Sequence, residues 1–353
     1  MEHGGDLLTY KDKYRGKLID FSSNINPLGR PKGLDKAIIE DFKDLEAYPD
    51  IHYRQLKESV AGYLKCKTTN VILGNGAVEI INNFIILADR VVLFKPSFSE
   101  YELRARVHKK ELLSINYLDD FSLNRDKLKK ELKRGDLLIL GNPNNPSGLR
   151  IPLEELIKVY KLLIEVGGFL LLDEAFYEFC PWDYDSILLF KEYDYENVSI
   201  IRAATKFFAL PGLRLGYACG SDYTVEKLKG LEMPWSINSV ANTAGQNIFS
   251  DKAYIEESKD YIKKEREFLL DELSKIRGIN PYPSHTNFIL IKLLNVDEER
   301  LFKYLLKEGI LVRKCSSFKE LGNNHIRIAV KDRQKNEILL EALKKLSRKG
   351  YLG

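Results

Sequence analysis

The sequence predicts an α/β fold, with a mostly parallel seven-stranded sheet between helices and a smaller α+β domain. Three observations lead to it. Apolar runs of strand length recur near 71–73, 91–95, 111–116, 137–141, 169–173, 198–202 and 213–219, most of them separated by helical patterns. Two of these runs, Leu138-Ile139-Leu140 and Phe169-Leu170-Leu171-Leu172, are continuously apolar, as strands covered on both faces must be. The polar segments that follow them stand at strand ends, where such sheets bind ligands.

In chain order, the strand ending at Leu73 runs through Gly74-Asn75-Gly76 into an apolar helix starting near Ala77. Backbone N–H groups of Gly76, Ala77 and Val78 therefore face an anion at a helix N-terminus, although a glycine pair alone also marks a tight turn. Lys127–Arg134 alternates basic residues with leucines at helical spacing, which reads as a solvated helix face and not as an RNA-binding patch. The strand at 137–141 enters the turn Asn142-Pro143-Asn144-Asn145-Pro146-Ser147-Gly148. The strand at 169–173 ends in acids, Asp173 and Glu174. Lys206 follows the strand at 198–202, with Arg214 eight residues on and glycines nearby. A lysine whose pKa is lowered by burial or cationic neighbours can form a Schiff base. An arginine can clamp a phosphate bidentately, and glycines let backbone approach closely. The set suits an aldehyde cofactor that carries a phosphate.

Beyond 250 an amphipathic helix over Ala253–Ile276 leads to short strands at 287–293 and 325–330. The reading is a large cofactor-binding domain over 46–250 and a small domain made of 1–45 and 251–353. The 353 residues suffice for two lobes; 44% are hydrophobic and 30% charged, the balance of a globular enzyme. A net charge of +4 is too diffuse to argue for nucleic acid. Cys66, Cys180, Cys219 and Cys315 are scattered without ligand spacing, so free thiols, no metal and a cytoplasmic location are expected. The N-terminus lacks a signal-peptide pattern, and no apolar stretch is long enough to span a membrane.

Three blocks in order, Asn142-Pro143-Asn144-Asn145-Pro146-Ser147-Gly148, then Asp173-Glu174-Ala175-Phe176, then Lys206 with Arg214 beyond it, resemble the pyridoxal-phosphate (PLP) enzymes of the aspartate-aminotransferase fold, the type I PLP-dependent transferases. The resemblance runs over nearly the whole chain. It implies pyridoxal 5'-phosphate as cofactor, Lys206 as the Schiff-base lysine and proton shuttle, and Asp173 as partner of the pyridine nitrogen. It also implies Asn145 as donor to the phenolic oxygen, Arg214 and Gly76–Val78 as phosphate ligands, and Phe98 stacked on the ring. Tyr48 matches a tyrosine that reaches the phosphate in the neighbouring subunit, which implies a homodimer with shared sites. The family usually has a serine three residues before the lysine; Ala203 stands here, and Thr205 or the Gly76–Val78 cradle is the candidate to compensate.

Within the family, Asp20-Phe21-Ser22-Ser23-Asn24-Ile25-Asn26-Pro27-Leu28-Gly29, preceded by His3-Gly4-Gly5, is similar to the start of threonine-phosphate decarboxylases. Met233–Asn238 and Ile310–Phe318 resemble the same branch, with Lys314 where an aspartate is usual. Phe176 stands where histidinol-phosphate aminotransferases usually have a tyrosine. The resemblance implies that Arg327 grips the substrate α-carboxylate and Arg313 its phosphate, with Asn26 and His3 near the substrate. Decarboxylation of L-threonine O-3-phosphate to (R)-1-amino-2-propanol phosphate, a step of cobalamin side-chain synthesis, is the expected reaction. Histidinol-phosphate transamination is the alternative, and a non-catalytic PLP-binding protein the alternative of another class.

Overall fold

The computed structural model describes residues 4–10, 13, 14, 16–181 and 183–352. The chain lays down a short strand, β1 (Ile19–Asp20), and then β2 (Val71–Asn75), β3 (Arg90–Lys95), β4 (Glu111–Asn116), β5 (Asp136–Gly141), β6 (Phe169–Asp173), β7 (Val198–Ala203) and β8 (Leu215–Gly220). The last seven of these form one sheet in the order β2-β8-β7-β6-β5-β3-β4. β3 to β7 pair in parallel, whereas β8 runs antiparallel to both β7 and β2. The link from β7 to β8, residues 204–214, is a turn and too short for a crossover helix, so β8 must reverse direction. That same turn carries Lys206 and Arg214.

Alternation along each strand builds two cores at once. Leu138 and Leu140 of β5 and Leu170 and Leu172 of β6 point into one apolar cluster with Leu156, Val159 and Leu163 of the helix Leu153–Val166. Their neighbours Leu137, Ile139 and Leu171 point the other way, against Ile80, Ile81 and Phe84 of the helix Ala77–Leu87. The helix Arg125–Glu131 buries Leu128 alone and leaves its lysines in solvent.

The C-terminal part adds β9 (Ile279–Pro281), β10 (Phe288–Leu293), β11 (Ile310–Leu311), β12 (Arg313–Lys314) and β13 (His325–Ala329). An antiparallel sheet, β12-β13-β10-β9, packs on the long helix Lys252–Ser274, whose first turn is capped by Asp251. β1 joins this part by pairing in parallel with β11. The helix Leu34–Asp41, counted above with the small domain, instead packs against the helix Ser239–Ile248.

Candidate active site

β5, β6 and β7 are adjacent, so their C-terminal ends bring Asn145, Asp173 and Lys206 to one cleft of about 240 Å³. Ala77, Val78, Phe98, Thr205 and Arg214 close its large-sheet side. Arg313, Phe318 and Arg327 face them from the second sheet and its loop, and Gly4, Ser22, Ser23 and Asn24 form an N-terminal strap across the wall.

Lys206 is half-buried, and its pKa falls to about 8 because burial disfavours the ammonium, with Arg327, Arg214 and Lys331 adding repulsion. Asp173 is buried and accepts two hydrogen bonds, from Tyr101 Oη at 2.6 Å and from the Ala175 backbone N–H at 3.0 Å. Burial pushes its carboxyl upward despite those bonds. Arg327 donates to Asn145 Oδ1, an arrangement that presents the Asn145 amide nitrogen as a donor. Tyr101 was not singled out in the sequence. The available signal was its place three residues after Phe98, on the same side of the first turn of the helix Ser99–Val107.

At the other end, Gly76 adopts φ 82° and ψ 159°, open to glycine alone, and starts the helix Ala77–Leu87. A Cβ on Gly76 would collide with the Arg214 guanidinium, and one on Gly216 with the backbone of Gly76 and Ala77. Glycine at both positions thus lets the turn, the helix start and the arginine converge. Ala203, buried at the end of β7, supplies no hydroxyl there, while Thr205 lines the cleft.

Arg313 and Arg327 are register partners on β12 and β13, and both are buried. Arg327 stacks over Phe288, and its Nε is buried without a hydrogen-bond partner. Burial lowers its pKa to about 10, and Arg313 adds to this. Arg313 donates to Ser317 Oγ at 2.9 Å. Lys314 points elsewhere, pairing with Glu299 at 2.7 Å, so the charge it adds faces away from the cleft.

Of the remaining expected residues, one is displaced. Asn26 is not in the cleft wall; its Nδ2 donates to the Phe207 carbonyl, Tyr254 Oη and Ser258 Oγ, fastening the strap to the long helix. Asn24, two residues earlier, lines the cleft instead, and its buried Oδ1 has no partner. His3 lies outside the described residues. Tyr48, expected at a neighbouring subunit's cofactor, is 79% exposed and packs on Trp235, with ring centroids 4.5 Å apart, and does not line this chain's own cleft.

The donor set fits pyridoxal phosphate group for group: an amine of lowered pKa for the aldehyde, a buried carboxyl for the ring nitrogen, an amide donor for the phenolic oxygen, and a glycine-built helix N-terminus with an arginine for the phosphate. Fold and site together define a PLP-dependent enzyme of the aspartate-aminotransferase type. The chain belongs to the aminotransferase class I and II family, whose sequence profile matches residues 16–343. It is 40% identical to a protein of Caldanaerobacter subterraneus subsp. tengcongensis provisionally named threonine-phosphate decarboxylase, over 99% of this chain and 95% of that one. It is 33% identical to the histidinol-phosphate aminotransferase of Thermoanaerobacter pseudethanolicus, over 94% of this chain and 93% of that one. Among solved structures, the histidinol-phosphate aminotransferase of Clostridium acetobutylicum superposes with a TM-score of 0.90 at 40% identity, covering 94% of this chain and 100% of that one.

Proposed function

We propose that this enzyme decarboxylates L-threonine O-3-phosphate to (R)-1-amino-2-propanol phosphate, as in cobalamin side-chain synthesis. The observation that carries the reading is the buried Arg313–Arg327 pair on one wall. Register partners on antiparallel strands lie about 5 Å apart. Two arginines that start side by side and both line the cleft suit a small substrate with a carboxylate and a phosphate on neighbouring carbons. Histidinol phosphate carries a phosphate but no carboxylate, and would leave one buried arginine without an anion. Among the described residues the cleft wall has four cationic side chains, Lys206, Arg214, Arg313 and Arg327, and one carboxyl, Asp173.

Pyridoxal phosphate, once bound, supplies the electron sink for the bond that breaks at the substrate Cα. Asp173 would hold the ring nitrogen, Asn145 the phenolic oxygen, Arg214 with Ala77 and Val78 the phosphate, and Phe98 one ring face. The two arginines fix rotation about the substrate N–Cα bond by gripping both anionic groups, and that rotation selects the bond to be cleaved. In decarboxylation the Cα–carboxylate bond breaks, its electron pair stays on Cα, and carbon dioxide leaves. Lys206 then delivers a proton to Cα; a pKa near 8 lets its amine hold or release one near neutrality. Phe176, buried against Phe288, lines the cleft without offering a hydroxyl.

We also place the protein in the cytoplasm as a homodimer, with lobes dividing near residues 46 and 250. Among the described residues no helix is long and apolar enough to cross a membrane. The test of the reaction is a paired assay on PLP-loaded protein. Carbon dioxide from L-threonine O-3-phosphate is expected, with no glutamate from histidinol phosphate and 2-oxoglutarate. Glutamate without carbon dioxide would overturn the reading in favour of transamination.

A further inference from the structure

Next to the cleft, but outside its wall, lies a buried polar cluster that the chemistry above leaves unused. Glu174 is fully buried. Its Oε1 accepts from Ser186 Oγ at 2.5 Å and from Asn142 Nδ2 at 3.1 Å, and its Oε2 accepts from Arg202 Nε at 3.2 Å and Nη2 at 3.0 Å. Arg202, 2% exposed, also donates to Asp185 Oδ1 at 2.8 Å and stacks on the Tyr177 ring at 3.5 Å. Asn142 in turn accepts from the Ile151 backbone at 3.0 Å and donates its own backbone N–H to the Asp173 carbonyl at 2.8 Å.

The positions of these three residues in the chain matter more than their number of bonds. Asn142 follows β5 and precedes Asn145 by three residues. Glu174 directly follows Asp173 at the end of β6. Arg202 lies in β7, four residues before Lys206. One hydrogen-bonded ion pair therefore ties together the three strand ends that carry the amide, the carboxyl and the amine of the cleft.

We propose that Glu174 and Arg202, with Asn142 between β5 and β6, are positioning residues that set Asn145, Asp173 and Lys206 at the mutual spacing the cofactor requires. The inference rests on the reading of those three side chains as cofactor-facing. Stability alone is a poor explanation for the pair. The strands are already joined by their backbone ladders and by leucine and isoleucine contacts on both faces. A buried ion pair is commonly no better for stability than apolar side chains of similar volume, although removing one partner alone is costly. What the pair provides and an apolar pair does not is directional, rotamer-fixing bonds to three separate strand ends.

That asymmetry supplies the test. Thermal unfolding of cofactor-free protein and the PLP dissociation constant, from absorbance titration, are measured for Glu174→Gln, Arg202→Met and the double variant Glu174→Leu/Arg202→Met. Each single variant is expected to lose thermal stability. The double variant is expected to regain it while binding PLP at least about tenfold more weakly than the wild type, the scale seen when the partners that orient a bound group's ligands are lost. A double variant that regains both stability and affinity would overturn the proposal and leave the pair a packing element. Should the double variant fail to fold, Glu174→Asp decides: it keeps the charge but shortens the reach, so tenfold weaker PLP binding at unchanged stability supports positioning, and unchanged affinity refutes it. A wild-type protein that takes up no PLP would sink the cofactor reading itself, an outcome separate from the behaviour of the variants.

Discussion

Lys206 is where function and stability oppose each other most directly. Its pKa falls from the ordinary 10.5 to about 8, chiefly through burial. Below pH 8 the folded protein therefore carries a poorly solvated ammonium. Between pH 8 and 10.5 the unfolded chain holds a proton that the folded one lacks, so this group's penalty is relieved as pH rises. The penalty is at most roughly 3 kcal/mol, from the size of the shift. Cofactor-free Lys206→Met is thus expected to be more stable than wild type at pH 7, with the gap closing towards pH 10, as thermal unfolding across that range will show. A wild type that matches the variant at pH 7 would mean the amine is well solvated. Lys206, Asp173 and Asn145 were legible in the sequence because each is a chemical exception at the end of a strand that announces itself. Asn24 and Asn26 were not separable, since both sit in one irregular stretch of the same composition. Asn26 turns inward because Tyr254 and Ser258, over 200 residues later, accept its amide, a contact no local pattern contains.

Among the elements, β8 shows how a short reversal shapes the site. Its antiparallel course sets Gly216 opposite Gly74 and against the start of the helix Ala77–Leu87. A methyl group at 216 would meet backbone atoms, which cannot swing aside as a side-chain end can. Gly216→Ala is expected to cost about 1–3 kcal/mol, the usual range for overpacking, and to weaken PLP binding by displacing the Ala77 N–H. Gly212→Ala, in the same link but with no atom within 4 Å of its added carbon, is the control and should leave cofactor affinity unchanged. Equal affinities for the two variants would show that the helix start can shift without consequence. The nine strands of five or six residues, β2 to β8 with β10 and β13, were readable because each carries an apolar run or alternation of strand length. β1, β9, β11 and β12 were not, because two or three residues are too few to show a period. The helix Leu34–Asp41 was assigned by its place in the chain, whereas its contacts with Ser239–Ile248 decide where it sits.

For the whole molecule, the exposed apolar side chains are unevenly spread. Ile39, Phe42, Leu45, Tyr48 and Ile51 lie in one segment, and Met233 and Trp235 in another, all more than one-third exposed. The two segments meet where Trp235 Nε1 donates to the Pro49 carbonyl at 3.2 Å and its ring packs on Tyr48. Exposed apolar surface of this kind marks an interaction surface, and in a homodimer the same surface occurs on both subunits. The dimer expected from Tyr48 would cover it and bring Tyr48 to the partner's cleft. The sharing of sites is testable by subunit mixing. Lys206→Ala removes the amine from a subunit's own cleft, and Tyr48→Ala removes the hydroxyl lent to the other. In a hybrid of the two variants one cleft has both defects and the other has neither. If subunits exchange at random from equal amounts, half the dimers are hybrids with one intact site of two, so activity should rise to about a quarter of wild type. The Tyr48→Ala protein alone should be far below that level, its loss appearing first as weaker PLP binding. If mixing gives no more than the average of the two parent activities, Tyr48 acts within its own subunit or not at all. A monomer by light scattering at assay concentration would reject the shared site outright, leaving the Tyr48–Trp235 patch for some other partner.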